Sequence, residues 1–241
     1  FSSMFNSAFG MAGIVPEDNS LVAAVQVVLG FETPLIMLFS FLINLLLARI
    51  TPFKYIFLTG HMMFSFAGTM AIVLDQMGIR GIAGDTVMEE ASCDARTPRE
   101  AIMLGQELIK RYRNHPRIKG CIAPHGTTTC GSSTLQEIHE VNHKYGVPFT
   151  LHVAEMDYDM TYLKEQYGCT PIEYLDRLGV LDSHTLCAHS IRLTEQDISL
   201  MAKSGSSVAH CIGSNTKAAK GVAPVSFMLE HGMTVGLGTD G

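Results

Sequence analysis

Short apolar strands alternate with helices from residue 54 to the end of the chain, and this order restricts the possible folds more than any other feature. The clearest strand, at residues 148–155, places Phe149, Leu151 and Val153 on one face with a period of two. Strands separated by helices are typical of a mostly parallel α/β sheet, either open or closed into a barrel. We predict seven strands, at residues 54–61, 78–88, 118–126, 148–155, 184–190, 206–211 and 233–241.

The helices between these strands have start and stop signals in the sequence. Thr97 followed by Pro98 predicts an N-cap and a first helical position. Ser133 and Thr194 are predicted to cap two later helices, and Gly146 to end one. We expect helices at residues 65–77, 97–113, 133–145, 160–167, 171–178, 194–205 and 224–231, with a polar loop at 212–223.

Polar residues that can bind metals or move protons lie at or just past the C-terminal ends of several predicted strands. In a parallel barrel these ends converge on one face, whereas an open sheet would spread them too widely to share one ligand. The pattern therefore favours a barrel. No glycine-rich dinucleotide fingerprint follows a strand, which counts against a Rossmann fold. The residues are His125, His152, Glu155, His189, His210 and Asp240.

The residue types at these strand ends suit metal-assisted hydrolysis. An imidazole can bind a metal and a nearby carboxylate can carry protons, as His152 and Glu155 could at the end of one strand. Each residue also has a structural explanation: His125 could close a turn, His189 could be a core histidine, and Asp240 could form an Asx-turn. The joint occurrence at successive strands indicates a catalytic site more strongly than any one residue does.

The composition narrows the class of protein. A net charge of −6 over 241 residues leaves no basic footprint for nucleic acid, so we expect no nucleic-acid partner. The six cysteines are scattered and contain no Cys-x-x-Cys pair. Such cysteines are typical of reduced thiols in the cytoplasm, where we expect this protein to be.

Residues 1–53 form a hydrophobic N-terminal segment with three possible interpretations: a buried helix, a membrane or interfacial helix, or a foreign stretch. The run from Leu35 to Ala48 carries no charge, but it is shorter than the roughly twenty apolar residues of a spanning helix. We therefore expect no membrane association. The regular part of the chain, residues 54–241, is predicted to be a separate domain.

Six runs in this domain carry a resemblance to a known family. They are APHGTTT (123–129), HVAE (152–155), CAHS (187–190), VAHCIGSN (208–215), KGVAPVSFMLEHG (220–232) and GLGTDG (236–241). These runs resemble the amidohydrolase superfamily, and are most similar to its branch of cytosine deaminase-like, S-adenosylhomocysteine and methylthioadenosine deaminase, guanine deaminase and chlorohydrolase enzymes. The resemblance implies a (β/α)8 TIM-like barrel of which residues 54–241 supply strands two to eight, with the first strand and a small β-domain not evident.

The resemblance also implies one divalent metal, either zinc or iron. His152 and Asp240 would be metal ligands, and Asp240 would also act as the base toward the attacking water. Glu155 would carry a proton to a ring nitrogen of the substrate, and His189 would hold the water or the developing tetrahedral centre. These roles fit the chemistry of a metal that activates water beside groups that transfer protons.

Further residues are expected to shape the substrate pocket. The resemblance implies that His125 contacts the substrate, and His210 would lie in the pocket or be a packing residue. Relatives have a proline in the run after the histidine, whereas this chain has Ile212 and Gly213 there. Ser214 and Asn215 would likewise line the pocket or pack.

The function that the resemblance implies is hydrolytic deamination of a nucleobase, nucleoside or related N-heterocycle, by an enzyme that is usually a homodimer. The chain has no His-x-His pair, which the family uses for two further ligands, and His61 is a weak substitute. The chain could be part of a longer enzyme, or a degenerate relative without activity. The alternatives are a chlorohydrolase of the same branch or a non-catalytic ligand-binding barrel without the metal site.

Overall fold

The computed structural model describes residues 67–92, 95–238 and 240, and in that part of the chain strands and helices alternate as predicted. The strands are β1 Gly81–Val87, β2 Ile118–Pro124, β3 Phe149–Val153, β4 Thr185–His189, β5 Ser207–His210 and β6 Thr234–Leu237. The helices are α1 Ala67–Gln76, α2 Pro98–Tyr112, α3 Ser132–Tyr145, α4 Asp157–Tyr167, α5 Pro171–Leu178, α6 Glu195–Ser204, α7 Ile212–Lys217 and α8 Val225–Glu230.

All paired strands are parallel and follow the order of the chain. Strands β1 and β2 form one sheet, and β3 to β6 form a second. An isolated parallel bridge between Gly126 and His152 connects the first sheet to the second. This is a partial α/β barrel, which confirms the predicted fold class. The strand predicted at 54–61 lies outside the described residues.

The side chain of Asn142 fills the gap between β2 and β3. Its Oδ1 accepts the Ile122 N–H at 3.1 Å, and its Nδ2 donates to the carbonyls of Ile122 at 2.7 Å and Pro148 at 3.0 Å. Buried backbone groups at a sheet edge must find partners. One amide on α3 therefore provides the bonds that a neighbouring strand would otherwise supply.

The core lies between the strands and the helices outside them. On β3 the alternating residues Phe149, Leu151 and Val153 are all buried, which confirms the face predicted from the sequence. Leu163 of α4 and Ile172 of α5 are fully buried in the same cluster. Because these residues pack outward, the alternate residues of β3, including His152, lie on the opposite face of the strand.

Two of the predicted N-caps are confirmed and one is wrong, and Gly146 ends α3 as predicted. The Thr97 and Thr194 side chains accept the backbone N–H groups three residues on, at the starts of α2 and α6. Helix α3, however, begins one residue before Ser133, and its N-cap is Gly131 without a side-chain cap. Glu89 explains the difference, because its carboxylate accepts the Gly131 N–H at 2.8 Å from a distant part of the chain.

The region predicted as a polar loop at 212–223 contains the short helix α7, which the sequence interpretation missed. Its first residues directly follow β5, so α7 lies at the C-terminal edge of the sheet. In the described part of the chain, no helix has the length and apolarity needed to cross a membrane. The apolar run at 35–48 lies outside the described residues.

Candidate active site

The C-terminal ends of the strands bring together three of the residues predicted to act in the site. His152 lies on β3, His189 ends β4, and Asp240 follows β6. One ligand atom from each of them lies within 4.8 Å of the corresponding atoms of the other two. Glu155, two residues after the end of β3, reaches the same group, because its Oε1 is 3.5 Å from Nε2 of His189.

Hydrogen bonding fixes the tautomer of His152. Its Nδ1 lies 2.6 Å from the carbonyl oxygen of His125, which can only accept, so Nδ1 carries the proton. The lone pair of the neutral ring is therefore at Nε2, which is 3.8 Å from Oδ1 of Asp240. Burial lowers the pKa of His152, but its interactions with Asp240 and the His125 carbonyl, together with the Glu155 charge, outweigh burial and raise this pKa.

His189 has the same arrangement with a different partner. Its Nδ1 is 2.8 Å from Oδ1 of Asn215, a fully buried residue of α7, and donates to it. Its Nε2 is 3.8 Å from Oδ2 of Asp240 and is buried without a hydrogen-bond partner among the described residues. A buried lone pair without a donor is costly in a hydrophobic interior, and a bound cation or water would satisfy it.

Asp240 is held in the ionised form. The Ser214 hydroxyl donates to its Oδ2 at 2.5 Å. Interaction with the His152 imidazole, against the opposing effect of burial and with the help of the Ser214 hydrogen bond, lowers the pKa of Asp240 to about 2. The carboxylate therefore offers a negative charge to the centre of the group at neutral pH.

The donor set fits a divalent cation. Ligand atoms at about 2.0–2.1 Å from a tetrahedral zinc are about 3.4 Å apart, close to the 3.8 Å that separates each imidazole Nε2 from an Asp240 oxygen. Two neutral imidazoles and one carboxylate are a common ligand set for such a metal. The resemblance implied that His189 holds the water. Its position makes it a candidate metal ligand as well.

Lys220 adds a cation that the sequence interpretation did not single out. Its Nζ forms an ion pair with Oε1 of Glu155, and the Glu155 side chain is only 13% exposed. Asp159 accepts the Glu155 backbone N–H at 2.9 Å. The position of Glu155 is therefore fixed from both its backbone and its side chain.

The backbone at the site is strained. Ala154, His189, Ser190 and Asp240 have φ values between 49° and 68°, the left-handed region that residues other than glycine rarely adopt. Such strain persists only where the surrounding structure enforces it, and it often accompanies functional sites. At His189 it turns the last residue of β4 toward His152, so that the two rings stack with centroids 5.1 Å apart.

The structure places the two predicted substrate-contacting histidines differently. The His125 ring lies beside that of His152, with centroids 4.9 Å apart, and burial and the His152 charge lower its pKa to about 4. His210 is buried on β5, and the strand register pairs the preceding residue, Ala209, with Gly236 and Ala188 next to His152. His210 therefore points to the other face of the sheet, which favours its packing role.

Ser214 and Asn215 have clearer roles than the sequence could give them. Both were expected only to line the pocket or to pack, whereas they hold Asp240 and His189 by hydrogen bonds. The only sequence signal for these roles was the position of the two residues just after a strand end that carries a histidine. Their partners are 26 residues away in the chain, so the contacts themselves could not be read from the sequence.

Comparison with known proteins gives the family. A family model described as "Amidohydrolase family" matches residues 46–241. The chain belongs to the amidohydrolase family. The match includes every described strand and all of the site residues above. A second model, described as "PTS system sugar-specific permease component", matches residues 1–89 and overlaps the first at residues 46–89.

Curated members of the amidohydrolase family give relatives of this chain. It is 36% identical over 179 residues to a 5-methylthioadenosine/S-adenosylhomocysteine deaminase of Aquifex aeolicus, which covers 74% of this chain and 42% of the relative. It is 35% identical over 179 residues to a 5'-deoxyadenosine deaminase of Methanothrix thermoacetophila, with 74% and 42% covered. The chain thus spans about two fifths of the length of these relatives.

A solved structure is similar to this chain both in fold and in sequence. The crystal structure of an adenosine deaminase from Xanthomonas campestris with bound zinc has a TM-score of 0.71 and 31% identity to this chain. The similarity covers 73% of this chain and 40% of that one. It supports the assignment of the described strands to part of a barrel.

Proposed function

We propose that this protein takes part in the metal-dependent hydrolytic deamination of an N-heterocycle, with release of ammonia. The observation that carries the proposal is the arrangement of His152, His189 and Asp240. Both imidazoles direct Nε2 toward one ionised carboxylate, and Glu155 stands beside them. Two imidazole nitrogens and a carboxylate directed at one point are the donor set of a metal centre.

His152, His189 and Asp240 would hold the metal, for which we propose zinc. When bound, the metal polarises water and lowers its pKa toward neutrality. Asp240, which stays ionised at neutral pH, would accept a proton from the attacking water. Asn215 and Ser214 keep His189 and Asp240 in place during this transfer.

Glu155 is proposed to carry the proton to the substrate. Its carboxylate is close to the centre, with Oε1 3.5 Å from Nε2 of His189, and would pass a proton from there to a ring nitrogen. Protonation of that nitrogen makes the adjacent carbon more electrophilic and assists the departure of ammonia. Lys220 holds the carboxylate by its ion pair, and the His125 ring beside His152 would contact the heterocycle.

We propose an adenine-type nucleoside as the substrate. The relatives and the solved structure with at least 30% identity are named for deamination of methylthioadenosine, S-adenosylhomocysteine, deoxyadenosine or adenosine. No feature of the described residues favours dechlorination. If the protein bound the metal but released no ammonia, the alternative interpretation as a non-catalytic barrel would be correct.

The remaining parts of the proposal concern the setting of the enzyme. We place it in the cytoplasm as a homodimer, and five cysteines in the described part of the chain are free thiols, as a reducing compartment requires. We further propose that residues 1–53 form a unit separate from the hydrolase, because most of them precede the amidohydrolase match, which begins at residue 46.

The test is ammonia release from methylthioadenosine, S-adenosylhomocysteine and adenosine by zinc-loaded protein. Glu155→Gln keeps the size of the side chain but removes its proton-carrying ability, so we expect kcat to fall about 10²–10⁴-fold with zinc still bound. Glu165→Gln, an exposed position on α4, is the matched control and should leave kcat unchanged. Equal activity of Glu155→Gln and wild type would contradict the role of Glu155.

A further inference from the structure

A second group of metal-ligating side chains lies at the other end of the sheet. His139 and His143 are one turn apart on α3, and His143 is in the last turn of that helix. Asp182 and His184 lie in the turn that precedes β4. The four side chains line the same region, and His139, His143 and Asp182 border an open cleft of about 480 Å³.

Asp182 is the fixed centre of this group. Its Oδ2 is 2.9 Å from Nε2 of His139, and its Oδ1 accepts the His184 backbone N–H at 2.7 Å. The Thr185 hydroxyl is 3.3 Å from the same Oδ1, but it donates its proton to the Val180 carbonyl at 2.7 Å. A carboxylate held by two donors keeps its orientation without a metal, which reduces the entropy lost when a cation binds.

His143 and His184 complete the group from two different elements. Their rings lie with centroids 5.2 Å apart, and one ligand atom of each lies within 4.8 Å of the other and of Asp182. Tetrahedral ligands of zinc are about 3.4 Å apart, so no pair of donors must approach by more than about 1.4 Å. Both imidazoles are exposed, and rotation of their side chains can supply that movement.

We propose that His143, Asp182 and His184 form a binding site for a divalent transition metal of the zinc class, with His139 positioning Asp182. Two imidazoles and a carboxylate are the ligands such a metal selects, whereas Mg²⁺ and Ca²⁺ prefer all-oxygen sites. The end of α3 adds the negative pole of the helix dipole, which favours a cation there.

The sequence of α3 places two histidines at this site, of which the proposal uses one as a ligand and one to position Asp182. His139-Glu140-Val141-Asn142-His143 has the H-E-x-x-H spacing, which places two imidazoles on one face of a helix. In this structure the first imidazole binds Asp182, and the second is free to accept the metal. The neighbouring Lys144 also borders the cleft, and its Nζ is 6.0 Å from the centroid of the Tyr145 ring.

The site is independent of the candidate active site. His184 precedes β4 and His189 ends it, so the two sites are separated by the length of the strand, about 16 Å. A metal here would tie the end of α3 to the start of β4. It would therefore stabilise the fold and take no part in the reaction.

The experiment is a titration of the full chain, purified without an affinity tag, with Co²⁺ and then Zn²⁺. We expect the wild type to bind one equivalent more than the double variant His143→Ala with His184→Ala, or to bind that equivalent at least ten times more tightly. The His152→Ala variant should keep this equivalent, because His152 belongs to the other site. If His152→Ala keeps this metal equivalent, the second site exists whether or not the proposed deaminase site binds a metal. The two proposals can therefore fail separately.

His231→Ala is the matched control, because it removes an exposed histidine outside both groups and should change no equivalent. Circular dichroism checks that each variant is folded before it is titrated. Equal stoichiometry and affinity in the wild type and the double variant would overturn the proposal. So would loss of the equivalent in His231→Ala, which would indicate unspecific binding to surface histidines.

Discussion

His152 and His189 follow the same principle of construction. In each ring, Nδ1 is tied to an oxygen that can only accept, and Nε2 is left for the centre of the site. The acceptor for His152 is a backbone carbonyl, which no substitution can remove. The acceptor for His189 is the side chain of Asn215, so this contact can be tested by mutation.

Asn215→Leu should weaken metal binding without removing a ligand. The change leaves the N–H of His189 without an acceptor, and loss of such an outer partner typically lowers metal affinity about 10–100-fold. We also expect about 1–3 kcal/mol lower free energy of unfolding, because a buried donor becomes unsatisfied. Zinc competition with a chelator measures the affinity, and urea unfolding of metal-free protein measures the stability.

Asn215→Asp provides the discriminating comparison, because a carboxylate still accepts the His189 proton. The Asn215→Asp variant should therefore bind zinc much more tightly than the Asn215→Leu variant does. Thr216→Ala, on the exposed side of the same helix, controls for a general effect on α7. If leucine and aspartate at position 215 lowered the affinity equally, Asn215 would be a packing residue only.

At the level of single residues, the sequence predicted which residues would meet but not how they are held. His152, His189 and Asp240 could be expected to converge because each lies at or just past the C-terminal end of a parallel strand. The support from Ser214, Asn215 and Lys220 depends on contacts between side chains from distant parts of the chain. Such contacts are set by the packing of α7 and its following loop, which no local pattern encodes.

Among the structural elements, α3 is unusual because one of its side chains supplies hydrogen bonds to the backbone of two strands. It covers the place where the two sheets meet, and the amide of Asn142 serves the exposed backbone groups of β2 and β3. Asn142 is completely buried. The continuity of the partial barrel at this point thus depends on one side chain in addition to the bridge between Gly126 and His152.

Asn142→Ala should destabilise the protein by about 2–4 kcal/mol, because two buried backbone groups of Ile122 and the Pro148 carbonyl lose partners and a cavity is left. The midpoint of urea unfolding measures the effect. Glu137→Ala, at an exposed position of the same helix, should change the free energy of unfolding by less than about 0.5 kcal/mol. Similar values for the two variants would show that the amide is dispensable.

The elements themselves were largely predictable. The six strands of the described residues coincide with predicted strands, because apolar alternation and flanking helices are local signals. The start of α3 was misplaced at Ser133, since the true acceptor, Glu89, comes from a remote loop. Helix α7 was missed because it is short and follows no capping residue that bonds to it.

On the scale of the whole molecule, the two ends of the sheet are predicted to have different tasks. The C-terminal ends carry strained backbone, the orphaned Nε2 of His189 and the proposed reaction. The N-terminal ends carry the group around Asp182, where a metal would only link elements. This division agrees with the general behaviour of parallel barrels, in which residues at the N-terminal face serve stability.

This division predicts that zinc stabilises the chain through two additive contributions. A ligand that binds only the folded state raises the free energy of unfolding by about 2.7 kcal/mol at a hundred times its Kd. His152→Ala should remove one contribution, and His143→Ala with His184→Ala the other. Because the sites are about 16 Å apart and share no residue, the combined variant should lose the sum of the two to within about 0.5 kcal/mol.

Urea unfolding with and without zinc, in all four proteins, measures the two contributions directly. Chelator should bring the wild type to the stability of the combined variant in zinc, after correction for the metal-free difference between them. A loss in the combined variant smaller than the sum would mean that both sets of histidines compete for one ion. In that case the ends of the sheet would not act independently, and the separation of catalysis from stability along β4 would be wrong.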